Sequence, residues 1–203
     1  MGMVKKDNST LRQKAALRRN LLREIEWPVI LETHGGWGVI YERCYSAVER
    51  GVVFEKDEDK VAALARQRPG WGVYEADCVR SIAAGAVDDW GINFVDVDPY
   101  GEPWPVLEAL FRREMRWPSR LALAVNDGLR QKLRIGAWDV GSMQEVVARY
   151  GNKVADQYVE ICRETVEEIV EQAGYGLLHW TGYYCGTNDN MTHYGAVLKR
   201  EGR

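Results

Sequence analysis

The sequence predicts an α/β fold in which a seven-stranded, mostly parallel sheet carries helices on both faces and ends in an antiparallel hairpin. Short continuous apolar runs, typical of strands buried on both faces, alternate along the chain with helical patterns. The last two predicted strands, 175–185 and 191–199, are separated only by a turn at 186–190, which indicates a hairpin at one edge. A chain of 203 residues with 46% hydrophobic residues is long enough for one such domain.

The individual elements follow from apolar runs, caps and turns. The parallel strands are expected, in order, at 29–31, 51–55, 72–76, 92–97 and 120–125. Helices are expected at 10–25, from after Gly38 to about Arg50, and at 57–67, 78–86, 103–115 and 153–173. Asp57 is suited to an N-cap, and Pro103 to the first turn of its helix. In a Rossmann-like sheet of this kind, ligands bind beyond the carboxyl ends of the strands, so polar residues there are the first candidates for a functional site.

The first 26 residues are predicted to form a basic helical extension, and residues 27–203 a single domain. Thr10-Leu11-Arg12-Gln13 fits a capping box that opens the helix. The first 23 residues contain one acid, Asp7, and seven basic residues: Lys5, Lys6, Arg12, Lys14, Arg18, Arg19 and Arg23. This charge indicates either a solvated helix face or an arm that contacts phosphates.

Composition and charge narrow the function classes. The net charge is −3 and the pI is near 5.7, so a nucleic-acid partner would have to meet a local basic face. No apolar run approaches the length of about 18 residues that a membrane helix needs. The N-terminus lacks a signal peptide's apolar core and the four cysteines form no CxxC pair, which favours a cytoplasmic protein with reduced thiols. No metal site is predicted, and His179 and His193 are interpreted as structural.

The most informative segment is Phe94-Val95-Asp96-Val97-Asp98-Pro99-Tyr100-Gly101, a buried strand that ends in an acid, a proline and an aromatic. The Asp98 carboxylate can accept a hydrogen bond from an amino group, and the carbonyl of Pro99 offers a second acceptor. Tyr100 can cover one face of a flat ring. The alternative interpretation is a surface turn, since all four residues of Asp98-Pro99-Tyr100-Gly101 are turn formers.

A second group of residues follows the first three strands. Strand one leads into Glu32-Thr33-His34-Gly35-Gly36-Trp37-Gly38, in which the glycines allow a tight turn and close approach to a ligand. Strand two ends in Glu55, which can accept from both hydroxyls of a ribose. Strand three ends in Asp77, placed to accept from an adenine amino group, with Cys78 beside it. Together these residues predict a bound adenosine.

A nicotinamide dinucleotide fits this pattern poorly. Its fingerprint requires a third glycine three residues after Gly38, where this chain has Tyr41. Glu32 would also repel a pyrophosphate, whereas a cofactor with a cationic sulfonium and an ammonium group would be attracted to it.

On these residues the chain resembles class I S-adenosylmethionine-dependent methyltransferases, over about residues 27–128. His34 departs from the family, which usually has glycine there. The segment Val97-Asp98-Pro99-Tyr100-Gly101-Glu102-Pro103 is similar to the Asp-Pro-Phe-Gly-Ser-Pro corner of tRNA guanine-amine dimethyltransferases. DNA amino-methyltransferases have a related corner with a second proline, which this chain lacks. The chain is also too short to include the additional RNA-binding domain of the tRNA enzymes.

The resemblance implies S-adenosylmethionine as cofactor and methyl transfer to an exocyclic amine of a base in RNA or DNA, with a homodimer as one way to enlarge the substrate surface. It assigns catalysis to Asp98, Pro99 and Tyr100. It assigns cofactor binding to eight residues: Glu32, His34, Gly36, Gly38, Glu55, Asp77, Cys78 and Asp98. The alternatives are a protein amide or small-molecule acceptor, and an inactive adenosine-binding partner subunit.

Two further features of the sequence leave their roles open. The span 128–152 either helps to choose the substrate or is a packed helical connection. Asn126 and Asp127 either line the acceptor pocket or cap the turn that follows them.

Overall fold

The computed structural model describes residues 10–113, 118–135 and 148–201, and these form one seven-stranded sheet with the order β3-β2-β1-β4-β5-β7-β6. The strands are β1 Val29–Glu32, β2 Arg50–Glu55, β3 Gly72–Glu75, β4 Phe94–Val97, β5 Arg120–Asp127, β6 Tyr175–Cys185 and β7 Met191–Arg200. The first five strands are parallel, and β7 is antiparallel to both β5 and β6. The predicted fold class, including the C-terminal hairpin, is therefore confirmed.

Helices cover both faces of this sheet. They are α1 Leu11–Leu22, α2 Glu58–Gln67, α3 Cys78–Ala83, α4 Trp104–Phe111, α5 Leu129–Arg134 and α6 Tyr158–Gln172. The larger buried cluster joins one face of the sheet to α3, α4 and α6. The smaller cluster joins the other face to α1 and to a π-helical turn at Tyr41–Tyr45. We call this second side of the sheet the α1 face.

Helix α1 packs tightly on its face because β7 presents a glycine there. A Cβ atom added to Gly195 would lie 2.7 Å from Leu21 Cδ1 and 2.9 Å from Leu17 Cδ1. Both leucines are buried and contribute to the smaller cluster. The described part of the predicted basic extension thus contains a helix that forms part of the core, and the proposed boundary at residue 26 stays a prediction.

Several predicted helix bounds differ from those observed. The helix expected up to Arg50 ends with the π-helical turn at Tyr45, because the Trp71 indole donates to the carbonyl oxygen of Val48 at 3.0 Å and the chain then extends into β2. Helix α3 ends at Ala83, ahead of Gly85, whose φ is 88°. Helix α4 ends at Phe111, and the predicted continuation to 115 lies partly outside the described residues.

Of the two predicted side-chain caps, the structure confirms one and contradicts the other. Asp57 caps α2 as predicted, since its side chain accepts from the Lys60 N–H at 3.2 Å. The capping box expected at Thr10 is wrong, because the Thr10 side chain makes no capping hydrogen bond to α1. Among the described residues no helix has the length and apolar character needed to cross a membrane.

Candidate functional site

Four buried polar residues lie side by side on the α1 face of the sheet. They are Glu32 on β1, Asp96 on β4, Asn126 on β5 and His193 on β7, and we call them the polar row. Glu32 is in register with Asp96, and Asn126 with His193. Strand alternation places them on the α1 face, because residues two positions earlier, such as Ile30, Phe94 and Ala124, belong to the smaller cluster. The row thus crosses four adjacent strands close to the carboxyl ends of β1, β4 and β5.

Arg18 on α1 neutralises the charge of Asp96. Arg18, which has no exposed surface, donates from Nε to Asp96 Oδ2 at 2.7 Å and from Nη2 to Oδ1. The Tyr45 hydroxyl donates to the same carboxylate at 2.8 Å. Arg18 also reaches Asn126 Oδ1 at 3.4 Å, so one guanidinium joins two members of the polar row. Removing one partner of a buried ion pair leaves an unpaired buried charge, so the folded arrangement of these side chains depends on Arg18.

Glu32 has its own buried partner. The Arg68 guanidinium donates to Glu32 Oε2 and lies over the rings of Tyr41, at 4.2 Å, and Trp71, at 5.0 Å. Burial raises the pKa of the Glu32 carboxyl to about 7, although the nearby Arg68 charge acts in the opposite direction. The predicted contact of Glu32 with a cofactor stays a prediction, and its carboxylate is already occupied by Arg68.

The carboxylate of Asp98 lies just beyond the end of β4 and holds an amine-type nitrogen. Lys14 Nζ, from α1, donates to Asp98 Oδ1 at 2.8 Å and to Oδ2 at 2.9 Å. Burial favours a higher pKa for the Asp98 carboxyl, but the charges of Lys14 and Arg18 outweigh it and hold the pKa below its usual range. Asp98 is therefore a carboxylate at neutral pH, with acceptor atoms only.

We call the segment Asp98-Pro99-Tyr100-Gly101 the acidic corner, and its last residue is hydrogen-bonded to Gly128. Gly101 has a φ of 116°, a value that favours glycine, and its carbonyl oxygen accepts from the Gly128 N–H at 2.9 Å. This bond ties the corner to the end of β5. Pro99 is half-buried, and the Tyr100 side chain is fully exposed. Tyr100 is thus accessible to a ligand, and its predicted stacking role stays a prediction.

The glycine loop after β1 closes on the end of β2. The Gly36 N–H donates to Glu55 Oε2 at 2.8 Å, and Glu55 Oε1 accepts from the N–H groups of Lys56 and Asp57. Gly36 and Gly38 have φ values of 54° and 75°, which favour glycine. A Cβ atom at Gly35 would lie 2.5 Å from Val53 Cγ2, so the loop also sits too close to β2 for a side chain there. The structure therefore brings the predicted glycines and Glu55 together.

His34 and Cys78 are also neighbours. His34 Nδ1 is 2.9 Å from Thr33 Oγ1, and its Nε2 is 3.6 Å from Cys78 Sγ. Burial lowers the pKa of His34 and raises the pKa of Cys78 to about 11. Both groups are consequently neutral near pH 7, which suits them to contact an uncharged part of a ligand.

Asp77 is committed to local contacts. Its Oδ1 accepts from the Arg80 N–H at 2.9 Å, capping α3, and its Oδ2 pairs with Lys56 Nζ at 2.5 Å. The hydrogen bond from Lys56 lowers the pKa of Asp77. An adenine amino group would have to share this carboxylate, so the adenine contact stays a prediction.

Asp127 lies on the opposite face of β5 from the polar row. Its Oδ1 accepts from the Leu129 N–H at 2.7 Å and its Oδ2 from the Tyr158 hydroxyl at 2.8 Å. Burial raises its pKa to about 7. Of the two roles that the sequence left open, Asp127 caps the following turn, whereas Asn126 belongs to the polar row.

In the described part of the span 128–152, α5 packs through Leu129, Arg130 and Leu133, and the role of the span stays a prediction. Arg130 Nε donates to the Ala155 carbonyl oxygen at 2.8 Å, and its guanidinium lies 3.7 Å from the centre of the Tyr184 ring. Arg134 donates to the Asn188 carbonyl oxygen at 2.6 Å. Trp138, one of the residues that suggested a substrate-choosing role, lies outside the described residues.

Sequence reasoning missed Asp96, Arg18 and Arg68 as parts of the site. His193 is buried on β7, and its interpretation as structural stays a prediction. An acid at the centre of the apolar run Phe94-Val95-Asp96-Val97 was the available signal for Asp96. Nothing in the sequence alone identified the partners, since Arg18 is 78 residues from Asp96 and Arg68 is 36 from Glu32. Among the described residues, no cluster of three or more metal-ligating side chains is present.

No protein-family model and no curated protein matches the chain. Solved structures share its fold. Trm1 from Pyrococcus horikoshii, in complex with S-adenosylmethionine, superposes with a TM-score of 0.67 at 14% identity, over 95% of this chain and 55% of that one. TYW2 from M. jannaschii, in complex with AdoMet, gives 0.61 at 13% identity, over 98% and 80% of the two chains. The N-methyltransferase NodS from Bradyrhizobium japonicum gives 0.57 at 13%, over 96% and 99%.

These similarities show that the chain has a Rossmann-like fold, which it shares with these solved structures. This chain spans 55% of the length of Trm1, so Trm1 has a large part with no counterpart here.

Proposed function

From this fold and site, we propose that the protein is an S-adenosylmethionine-dependent methyltransferase that methylates an exocyclic amine of a base in RNA or DNA. One observation carries the proposal. At the carboxyl edge of the sheet, next to a glycine loop that closes on Glu55, Asp98 binds the nitrogen of Lys14 through both carboxylate oxygens. A carboxylate in this position can also accept a hydrogen bond from an acceptor amine.

The residues around the glycine loop fit an adenosine-type cofactor. A Cβ atom at Gly36 would meet nothing within 4 Å, so a ligand has room to approach the backbone there, and Glu55 lies beside it where it can accept from ribose hydroxyls. His34 and Cys78 add a neutral wall at the end of the loop. When bound, the cofactor supplies an electrophilic methyl group on a sulfonium centre.

The acidic corner is suited to prepare the acceptor amine. The lone pair of an exocyclic amine is delocalised into the ring, which makes the nitrogen a poor nucleophile. Asp98 and the Pro99 carbonyl accept its two hydrogens, which favours a pyramidal nitrogen with its lone pair directed at the methyl group. Tyr100, which is fully exposed, stacks on the ring and fixes its plane. A base in a duplex has to be flipped out to reach this corner.

A protein amide or a small molecule is the second candidate acceptor. The observation in its favour is that two of the basic residues near the N-terminus, Lys14 and Arg18, pair with Asp98 and Asp96 rather than facing solvent as a phosphate-binding arm. With a net charge of −3, the chain then has fewer free cations for a nucleic-acid backbone.

Radiolabelled S-adenosylmethionine tests the proposal. The purified protein is incubated separately with unmethylated DNA, unmodified tRNA, ribosomal RNA and cell protein, beside an Asp98→Ala variant and a matched control, Asp59→Ala, at an exposed position of α2. We expect label in one nucleic-acid pool, lost in Asp98→Ala and retained in Asp59→Ala. Label only in protein would identify the second candidate, and equal label with Asp98→Ala would contradict the role of the corner.

A further inference from the structure

Lys14 occupies the position on Asp98 that the acceptor amine needs. Its Nζ lies within 2.9 Å of both carboxylate oxygens, so an incoming amino group has to share those oxygens with it or displace it from one of them. The two side chains are 19% and 23% exposed, so the pair is open to solvent and to a ligand on one side. The Arg18–Asp96 pair, one turn of α1 away, is buried, so a ligand in solvent does not reach it.

The backbone of α1 is held at Lys14, so only the side chain is free to move. Arg18 Nη1 donates to the Lys14 carbonyl oxygen at 3.2 Å while its other nitrogens bind Asp96. The Tyr183 hydroxyl donates to the carbonyl oxygen of Gln13 at 3.1 Å. A Lys14 side chain that shifts on Asp98 is therefore tethered to a backbone held at this point, within reach of an amine bound to the same carboxylate.

The surroundings of Lys14 offer the displaced ammonium little compensation. Among the described residues, Cys185 and His193 interact electrostatically with Lys14, and Arg18 lies one helical turn along α1. Arg18 is a cation, and burial raises the pKa of Cys185 to about 11, so neither supplies a second negative charge. Burial and the two cations lower the pKa of His193 to about 3, so it is neutral. A partly buried ammonium that shifts from Asp98 favours a new hydrogen-bond acceptor, and an acceptor atom on the bound molecule can supply it.

We propose that Lys14 is a specificity-determining residue for the proposed methyl transfer, on which this inference rests. Asp98 accepts from the amino group of the base, and Lys14 donates to the ring nitrogen beside that amine. The Asp98–Lys14 pair then matches a donor next to an acceptor, which is the pattern on the amine-bearing edges of adenine, cytosine and guanine. A simple alkylamine has the donor alone, and binding it would leave Lys14 without a partner.

Base analogues separate this role from a structural one. The acceptor is an oligonucleotide with the sequence of the labelled site, in which the ring nitrogen beside the target amine is either present or replaced by carbon, as in a 1-deazaadenine, 3-deazacytosine or 3-deazaguanine. Binding is measured with S-adenosylhomocysteine present, and turnover with S-adenosylmethionine. Wild type is compared with Lys14→Met and with Arg19→Met, which removes the same charge from an exposed position of α1.

We expect the carbon analogue to cost wild type and Arg19→Met about 10-fold in binding and in kcat/KM, the effect of one charged hydrogen bond. Lys14→Met should bind the normal and carbon analogues equally, because the group that distinguishes them is gone. An equal penalty in wild type and Lys14→Met would overturn the inference and leave the proposed function intact. If wild type methylates no nucleic-acid pool, the proposed function fails and this inference fails with it.

Discussion

At the scale of single residues, the structure separates acids that the sequence presents alike. Asp96, Asp98 and Asp127 all lie at or just beyond the carboxyl ends of β4 and β5, but their partners give them different chemistry. Asp96 is closed off by Arg18 and Tyr45, whereas Asp98 is partly exposed and paired to a side chain that can move. Asp127 accepts hydrogen bonds from the Leu129 N–H, the Tyr158 hydroxyl and the Cys162 thiol but has no cation on it among the described residues.

Asp127 gives a pH-dependent prediction. Its pKa in the folded protein is about 7, above the ordinary value of 3.8. The folded state therefore holds this proton more tightly than the unfolded state, so the contribution of Asp127 to stability falls as the pH rises from about 4 to 7. An asparagine side chain at this position would carry no charge at any pH. We expect Asp127→Asn to be more stable than wild type at pH 8 by about 1 kcal/mol or more, and the difference to shrink towards pH 4.

Urea denaturation at both pH values measures this effect. Asp89→Asn, at an exposed position, serves as the control and should follow the wild-type profile. A lower stability of Asp127→Asn than of wild type at pH 8 would contradict this prediction. It would mean that the ionised carboxylate stabilises the folded state in spite of its burial.

At the scale of elements, α1 is both a cover for the sheet and a source of charge for the site. Leu17 and Leu21 pack over Gly195, while Lys14 and Arg18, four residues apart, reach Asp98 and Asp96. The sequence cannot identify these partners of Lys14 and Arg18. Their spacing shows that they share a face of α1 but not which strands lie beneath that face. The sequence predicted the helix and its charge, and the direction of two of its cations was found only in the structure.

The Arg18–Asp96 pair should be a large contributor to the docking of α1. We expect Arg18→Met to reduce the free energy of unfolding by about 3–5 kcal/mol, because it leaves the Asp96 carboxylate buried without a cation. Arg19→Met, on the exposed side of the same helix, should change it by about 0.5 kcal/mol or less. Both values come from urea denaturation.

A double variant distinguishes a charge effect from lost packing. Replacing both partners, as Arg18→Met with Asp96→Val, should recover most of the loss, because an apolar pair needs no buried counter-charge. A double variant as unstable as Arg18→Met alone would show that the guanidinium acts through its packing.

At the scale of the whole molecule, sequence patterns predict the strand set, the parallel sheet and the hairpin because each rests on local periodicity. The glycine loop, Glu55 and the Asp98 corner were also predictable, since each directly follows a strand and the carboxyl ends of parallel strands share one edge. The polar row was not predictable from the sequence. It combines Glu32, Asp96, Asn126 and His193 from four strands with arginines from distant segments, and only the three-dimensional register brings them together.

Binding of the cofactor tests the central claim most directly. Titration calorimetry compares S-adenosylmethionine with NAD on wild type, on Glu55→Ala and on a matched control, Glu58→Ala, at an exposed position of α2. We predict that wild type and Glu58→Ala bind S-adenosylmethionine and not NAD, and that Glu55→Ala binds it at least about 10-fold more weakly, the equivalent of 1.4 kcal/mol. Binding of NAD, or of neither cofactor by correctly folded wild type, would contradict the account.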